Sequence, residues 1–177
     1  FWDRKAVAEE VGDGGVSRLL LELDEVTRGN DKNVMIVIGH SFGGAIVVSA
    51  LNDVLTERTV QRTRVRGYAR TIGDGVLVLN PAIEANQMLS FVEAAIKADY
   101  RSEQYPLFVS LSTDADQATH YAFPAGQTLG LLLTWQQEDL KRSYYYDRLE
   151  PDKEKPLREE HLDTTTVGNF APFLTHR

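Results

Sequence analysis

Five residues, Gly39-His40-Ser41-Phe42-Gly43, constrain this chain more than any others. They stand between an apolar run, Val34 to Ile38, and a stretch of small and aliphatic residues, Gly44 to Leu51. The run reads as a buried β-strand and the stretch as a buried helix. A strand that passes into a helix over so few residues must turn sharply, and the residue at the apex takes a strained backbone conformation. Glycines two positions before and after Ser41 remove side chains that would collide where strand and helix converge. A serine hydroxyl is a weak nucleophile unless it projects towards a base. Strand, tight turn and helix are the setting in which G-x-S-x-G marks such a nucleophile. Phe42 opens the helix, where free N–H groups and the positive end of the dipole gather, so its N–H is the candidate oxyanion donor. The plainer reading is a βα turn whose serine merely caps the helix.

The rest of the chain supplies the elements around this turn. Val16, Leu19, Leu20, Leu23 and Val26 have amphipathic helical spacing, closed by Gly29-Asn30-Asp31. Gly12-Asp13-Gly14-Gly15 reads as a turn, since it lacks the Lys-Ser/Thr and preceding strand of a phosphate loop. The helix after Ser41 is expected to run to about Thr56, before a polar connection with Arg58, Arg62, Arg64, Arg66 and Arg70. Gly73-Asp74-Gly75 signals a turn, and Val76 to Leu79 a second buried strand stopped by Asn80-Pro81. Apolar residues from Ile83 to Ile96 fit a helix packed on a sheet. Leu107 to Leu111 reads as a third strand. Continuous apolar strands alternating with helices predict an α/β fold, with a mostly parallel sheet covered by helices on both faces. Further on, Leu129 to Tyr146 reads as one or two helices, Pro151 to Pro156 as a charged loop and Thr164 to Val167 as a short last strand.

At Val34 to Leu51 the chain resembles the α/β-hydrolase superfamily, in particular its esterase and lipase-like serine hydrolases. A looser likeness continues through Gly75 to Pro81 and Leu107 to Ser112. The resemblance implies a single α/β-hydrolase-type domain over 1–177, with 121–160 as a lid or insertion. It also implies that residues before the nucleophile strand are too few, so amino-terminal strands of the sheet, and the loop that gives a second oxyanion donor, are expected to be missing. The implied activity is hydrolysis of an ester or related acyl bond through an acyl-enzyme, with a small-molecule acyl ester as substrate.

Triad partners in such a fold follow in the order Ser, acid, His. The acid belongs just after the third strand, where Ser112-Thr113-Asp114-Ala115-Asp116 stands. The family's habit of using the second Asp of an Asp-x-Asp pattern points to Asp116, with Asp114 as the alternative and a plain Asp-rich turn as the bland reading. Its task is to accept the Nδ1–H of the base and stabilise the imidazolium. His120 falls in the acid's own loop, and His161 in the charged run Arg158 to Asp163. His176 follows the last expected strand. Many relatives carry Gly-His in a comparable loop, but here Gly168 is followed by Asn169, whose amide is no base at neutral pH. Three readings stay open: His176 is the base, the base lies beyond residue 177, or the catalytic set is incomplete and the chain is a binding or interaction module. Acyl transfer to an acceptor other than water would use the same residues.

Composition narrows the classes. With 177 residues, 42% of them hydrophobic, the chain can bury one substantial core. A net charge of −7 argues against a general nucleic-acid binder. There is no cysteine, which excludes disulfides, thiolate metal sites and a thiol nucleophile but leaves the compartment open. No apolar run approaches a membrane span, and neither a cofactor nor a metal is implied. His40 borders the nucleophile but should point away from it. Glu159, Glu160, His161 and Asp163 read as a solvated charge run rather than a cation site. The arginines from Arg58 to Arg70 read as a solvated connection. Tyr144-Tyr145-Tyr146, Trp135 and Phe123 either line an acyl pocket, form a lid or pack an amphipathic helix.

Overall fold

A computed structural model of the protein describes residues 2–63, 68–100, 103–113, 145–146, 154–155 and 159–173. The fold class is α/β. Three strands, β1 (Ile36–His40), β2 (Gly75–Leu79) and β3 (Val109–Leu111), form a parallel sheet in the order β1-β2-β3. Register runs from Ile36 opposite Gly75 to His40 opposite Leu79, and from Leu77 opposite Val109 to Leu79 opposite Leu111. All three carboxyl ends therefore finish level at one rim.

Helix α3 (Phe42–Thr63) leaves that rim and runs back along the sheet. Its Val48, Leu51 and Leu55 are almost wholly buried, and they meet Val37 of β1 with Val76 and Val78 of β2. Burying a side chain of this size stabilises by about 1.5–3 kcal/mol. The helix extends well past the expected Thr56. It continues because Thr59 is fully buried and Arg58 has a partner below the surface. Beyond β2, a 3₁₀ turn (Ala85–Met88) leads into α4 (Leu89–Lys97), which packs on α3 and sets Phe91 edge-on against Phe108.

The amino-terminal region corrects the reading of a glycine turn. Helix α1 (Trp2–Val11), a π-helical segment (Gly12–Val16) and α2 (Ser17–Arg28) follow one another without a break. Gly12 sits against Ile46, Ser49 and Ala50 of α3, closer than any Cβ could come. Packing has overridden the poor helix propensity of the glycines.

Among the described residues, the helices cover one face of the sheet rather than both. Burial alternates along β1: Val37 and Gly39 are buried, while Ile36 and Ile38 are 60% and 61% exposed. Leu111 of β3 shares the exposed side. Helix α3 leaves the elbow to one side, and α1 and α4 stack on α3, so all three add to the same layer.

Three other expectations change. Thr164 to Val167 adds no strand to the sheet. Helix α5 (Glu159–Thr164) ends there, and Thr166 makes a single antiparallel bridge to Glu84. Helix α5 is also less solvated than its charges imply, because Leu162 is buried with Ala85, Leu89 and Phe170. Tyr145 and Tyr146 are not helical; they form β4, antiparallel to β5 (Glu154–Lys155).

The least legible feature is a buried carboxylate. Asp24 of α2 is 1% exposed. Its Oδ2 accepts hydrogen bonds from Arg58 at 2.9 Å and from Arg28, and its Oδ1 accepts the Gly73 N–H at 2.8 Å. Arg58 also donates to the Thr71 carbonyl at 2.6 Å. One carboxylate thus ties α2, α3 and the turn before β2 together, so Arg58 is no solvated connection. Replacing Asp24 by Ala takes the shared acceptor from the Gly73 N–H and from two partly exposed guanidinium groups, and should cost about 1–3 kcal/mol. By contrast Arg18→Ala, at the exposed Arg18–Glu22 pair, should change stability by less than about 0.5 kcal/mol. Urea denaturation of the two variants checks both values.

Candidate active site

The carboxyl ends of the parallel strands bear the candidate site, where open α/β sheets bind ligands. Ser41 occupies the junction between β1 and α3 and has φ of 53°. Among the described residues only Asn80 shares a positive φ without being glycine. For a serine this conformation costs about 1–3 kcal/mol and persists only when its surroundings enforce it.

The enforcement is visible. The Ser41 N–H donates to the Leu79 carbonyl at 3.0 Å, across to the end of β2. The Ser41 carbonyl accepts the Ala45 N–H at 3.2 Å and the Ala82 N–H at 3.0 Å. The apex is therefore bonded to its own helix and, on both sides, to the chain leaving β2. Ser41 is half-buried, held but not sealed from solvent. Phe42 is the first residue of α3, so the positive end of a 22-residue helix lies beside Ser41.

The glycines act in a way the motif alone does not reveal. A Cβ on Gly39 would lie 2.5 Å from the Gly43 carbonyl oxygen, and one on Gly44 would lie 2.8 Å from Pro81 Cβ. A Cβ on Gly43 would meet nothing within 4 Å. The crowded pair is Gly39 and Gly44. Gly43 contributes the backbone that Gly39 approaches.

The other candidates are distributed unevenly. His40 is exposed at the end of β1, on the same side of the strand as Ile36 and Ile38. Asp114, Asp116, His120 and His176 lie outside the described residues, as do Phe123, Trp135 and Tyr144 and most of 121–160. Thr113, the last described residue before the two aspartates, is bonded through its N–H to Asn80 Oδ1 at 3.0 Å. Thr113 thus stands at the rim that holds Ser41. His161 belongs to α5.

The carboxy-terminal turn also reaches this end of the sheet. The Ala85 N–H donates to the Thr165 carbonyl, and the Val167 N–H to the Ile83 carbonyl, at 2.8 and 3.0 Å. Gly168 then lies against Ser112, so close that a Cβ there would overlap Ser112 Oγ. Asn169 follows, and its side-chain amide donates to Thr166 Oγ1 at 3.1 Å. Gly168 and the Asn169 that follows it are therefore brought close to the end of β3. The sequence pointed to Asn169, but it gave no sign that Asn80 holds Thr113 or that Gly168 contacts Ser112.

No group of three His, Asp or Glu side chains among the described residues is placed to hold a metal ion. No helix among them is long and apolar enough to cross a membrane. Compared with known proteins, the chain matches no family model, no curated protein and no solved structure.

The crowding at the elbow sets a testable order. Gly39→Ala and Gly44→Ala should each cost more than about 2 kcal/mol, because backbone or a proline ring would have to move. Gly43→Ala should be neutral, or stabilising by up to about 1 kcal/mol, since it replaces glycine in a helix. Thermal melts of the three variants distinguish this pattern from one in which both motif glycines matter equally.

Proposed function

We propose that the protein is a serine hydrolase of α/β-hydrolase type, acting on an ester or related acyl bond through an acyl-enzyme at Ser41. One observation carries this reading: a serine held at φ of 53° between a parallel strand and a long helix, at the ligand-binding end of the sheet. A serine that only capped a helix would need no left-handed backbone, because cap residues take extended conformations. Strain of this kind collects at functional sites.

The proposed reaction is acyl transfer through Ser41. Ser41 Oγ attacks the acyl carbonyl carbon while a histidine removes its proton. The carbonyl oxygen becomes an oxyanion, stabilised by the start of α3 with the Phe42 N–H as donor. The histidine returns the proton to the leaving alcohol as the tetrahedral intermediate collapses to the ester of Ser41. Water, activated by the same histidine, then releases the acid. Asp116, with Asp114 as its competitor, orients the histidine. His176 is the base assigned within this chain, and a residue beyond position 177 is its alternative.

A second reading has its own support. Asn169 stands where the resembling family carries histidine, and its amide is engaged with Thr166. A catalytically incomplete binding module would keep the elbow without the base. An active-site probe separates the two. A fluorophosphonate should label the full-length protein on Ser41 and leave Ser41→Ala unlabelled. Ester hydrolysis by that variant should fall by about 10³-fold or more. Wild-type protein that remains unlabelled is the binding module.

A further inference from the structure

Asn80 directly follows β2 and has φ of 42°, a left-handed conformation that asparagine tolerates better than most residues. Its N–H donates to the Leu111 carbonyl at 2.8 Å, and its side-chain Oδ1 accepts the Thr113 N–H at 3.0 Å. Both bonds reach the end of the next strand. A turn asparagine commonly spends its side chain on its own backbone two residues on. Here the side chain instead holds a residue 33 positions away.

On its other side the same stretch holds the elbow. The Leu79 carbonyl, immediately before Asn80, accepts the Ser41 N–H. Pro81, immediately after it, abuts Gly44, and the Ala82 N–H bonds the Ser41 carbonyl. Residues 79–82 thus form a bracket with Ser41 on one side and Thr113 on the other, and Asn80 supplies its far arm. Thr113 is followed directly by Asp114, Ala115 and Asp116.

We infer that Asn80 is a positioning residue, whose left-handed backbone and side-chain oxygen together hold Thr113, the residue that precedes the acid candidates in sequence, against the bracket that carries the Ser41 elbow. This rests on Ser41 as nucleophile and on an acid at 114 or 116. Two variants separate the backbone from the side chain. Asn80→Gly keeps the positive φ and deletes the acceptor. Asn80→Asp keeps an acceptor oxygen and tolerates the same backbone.

Two readouts on the full-length protein serve: hydrogen exchange at the Thr113 amide, and the rate of fluorophosphonate labelling as a function of pH. In Asn80→Gly, Thr113 should exchange about 10-fold faster, and labelling should slow by about 10- to 100-fold as the acid is misplaced. The acid limb of the labelling profile should move to lower pH, because a histidine deprived of its carboxylate gives up its proton more readily. Asn80→Asp should restore most of the rate, which simple loss of packing would not allow. Labelling by Asn80→Gly at the wild-type rate with an unmoved limb overturns the role of Asn80 alone. An equal loss in Asn80→Asp does the same. Wild-type protein that resists the probe overturns the Ser41 reading, and the role of Asn80 with it.

Discussion

The backbone of Ser41 is the constraint around which the described structure is arranged. A left-handed serine is not stable on local grounds, so neighbours must impose it. Three backbone hydrogen bonds reach it, two of them from the chain at the end of β2. Each contributes about 0.5–1.5 kcal/mol net, enough together to offset the strain. That leverage works only if β2 is fixed relative to α3. The contact of Pro81 with Gly44 and the burial of Val76 and Val78 under α3 supply that fixity. The elbow is therefore a property of two neighbouring strand ends rather than of one five-residue motif.

The second fixed point is Asp24. It lies in a helix that never touches the elbow in sequence, yet its carboxylate joins α2 to Arg58 of α3 and to Gly73 ahead of β2. Met35 is held from the same turn: its N–H donates to Asp74 Oδ2 at 2.8 Å, and its carbonyl accepts the Asp74 N–H at 2.7 Å. The amino ends of β1 and β2 are thus pinned by side-chain and backbone bonds, while their carboxyl ends are pinned at Ser41 and Asn80. A slip of β2 against β1 would break bonds at both ends at once.

Local chemistry is what the sequence made legible. The strands announced themselves by apolar runs, and the junction by glycines around a serine, so β1, β2, β3 and the start of α3 could be placed within a few residues, though not the end of α3 at Thr63. Pairing at a distance was hidden. Asp24 and Arg58 are 34 positions apart, and nothing near either marks them as partners. Gly12 to Gly15 looked like a turn because glycine is a poor helix former, and only the closeness of α3 explains why the helix continues. Apolar continuity in Val34 to Ile38 suggested burial on both sides, yet hydrophobicity records what a residue tolerates, not what covers it: Ile36 and Ile38 are exposed. Within the candidate site Ser41 and Phe42 were legible from the motif. Asn80 was not, since Asn-Pro after a strand reads simply as a stop.

The two left-handed residues explain each other. A parallel strand that ends at the rim normally hands the chain to whatever loop its sequence favours. Here β1 and β2 end level in register, His40 opposite Leu79, so the next residues, Ser41 and Asn80, are neighbours at the rim. Both turn through positive φ. With Ser41 turned, its N–H bonds the Leu79 carbonyl and its carbonyl meets the Ala82 N–H. For Ala82 to reach that carbonyl, the chain must bend back immediately after Leu79, and Asn80 is where it bends. Proline next to it fixes the following φ and has no N–H to satisfy. A residue at position 80 that resisted positive φ would therefore move Ala82 first and release the Ser41 carbonyl second. On this geometry the strain at the serine cannot be relieved without also unbending Asn80, and the two conformations stand or fall together.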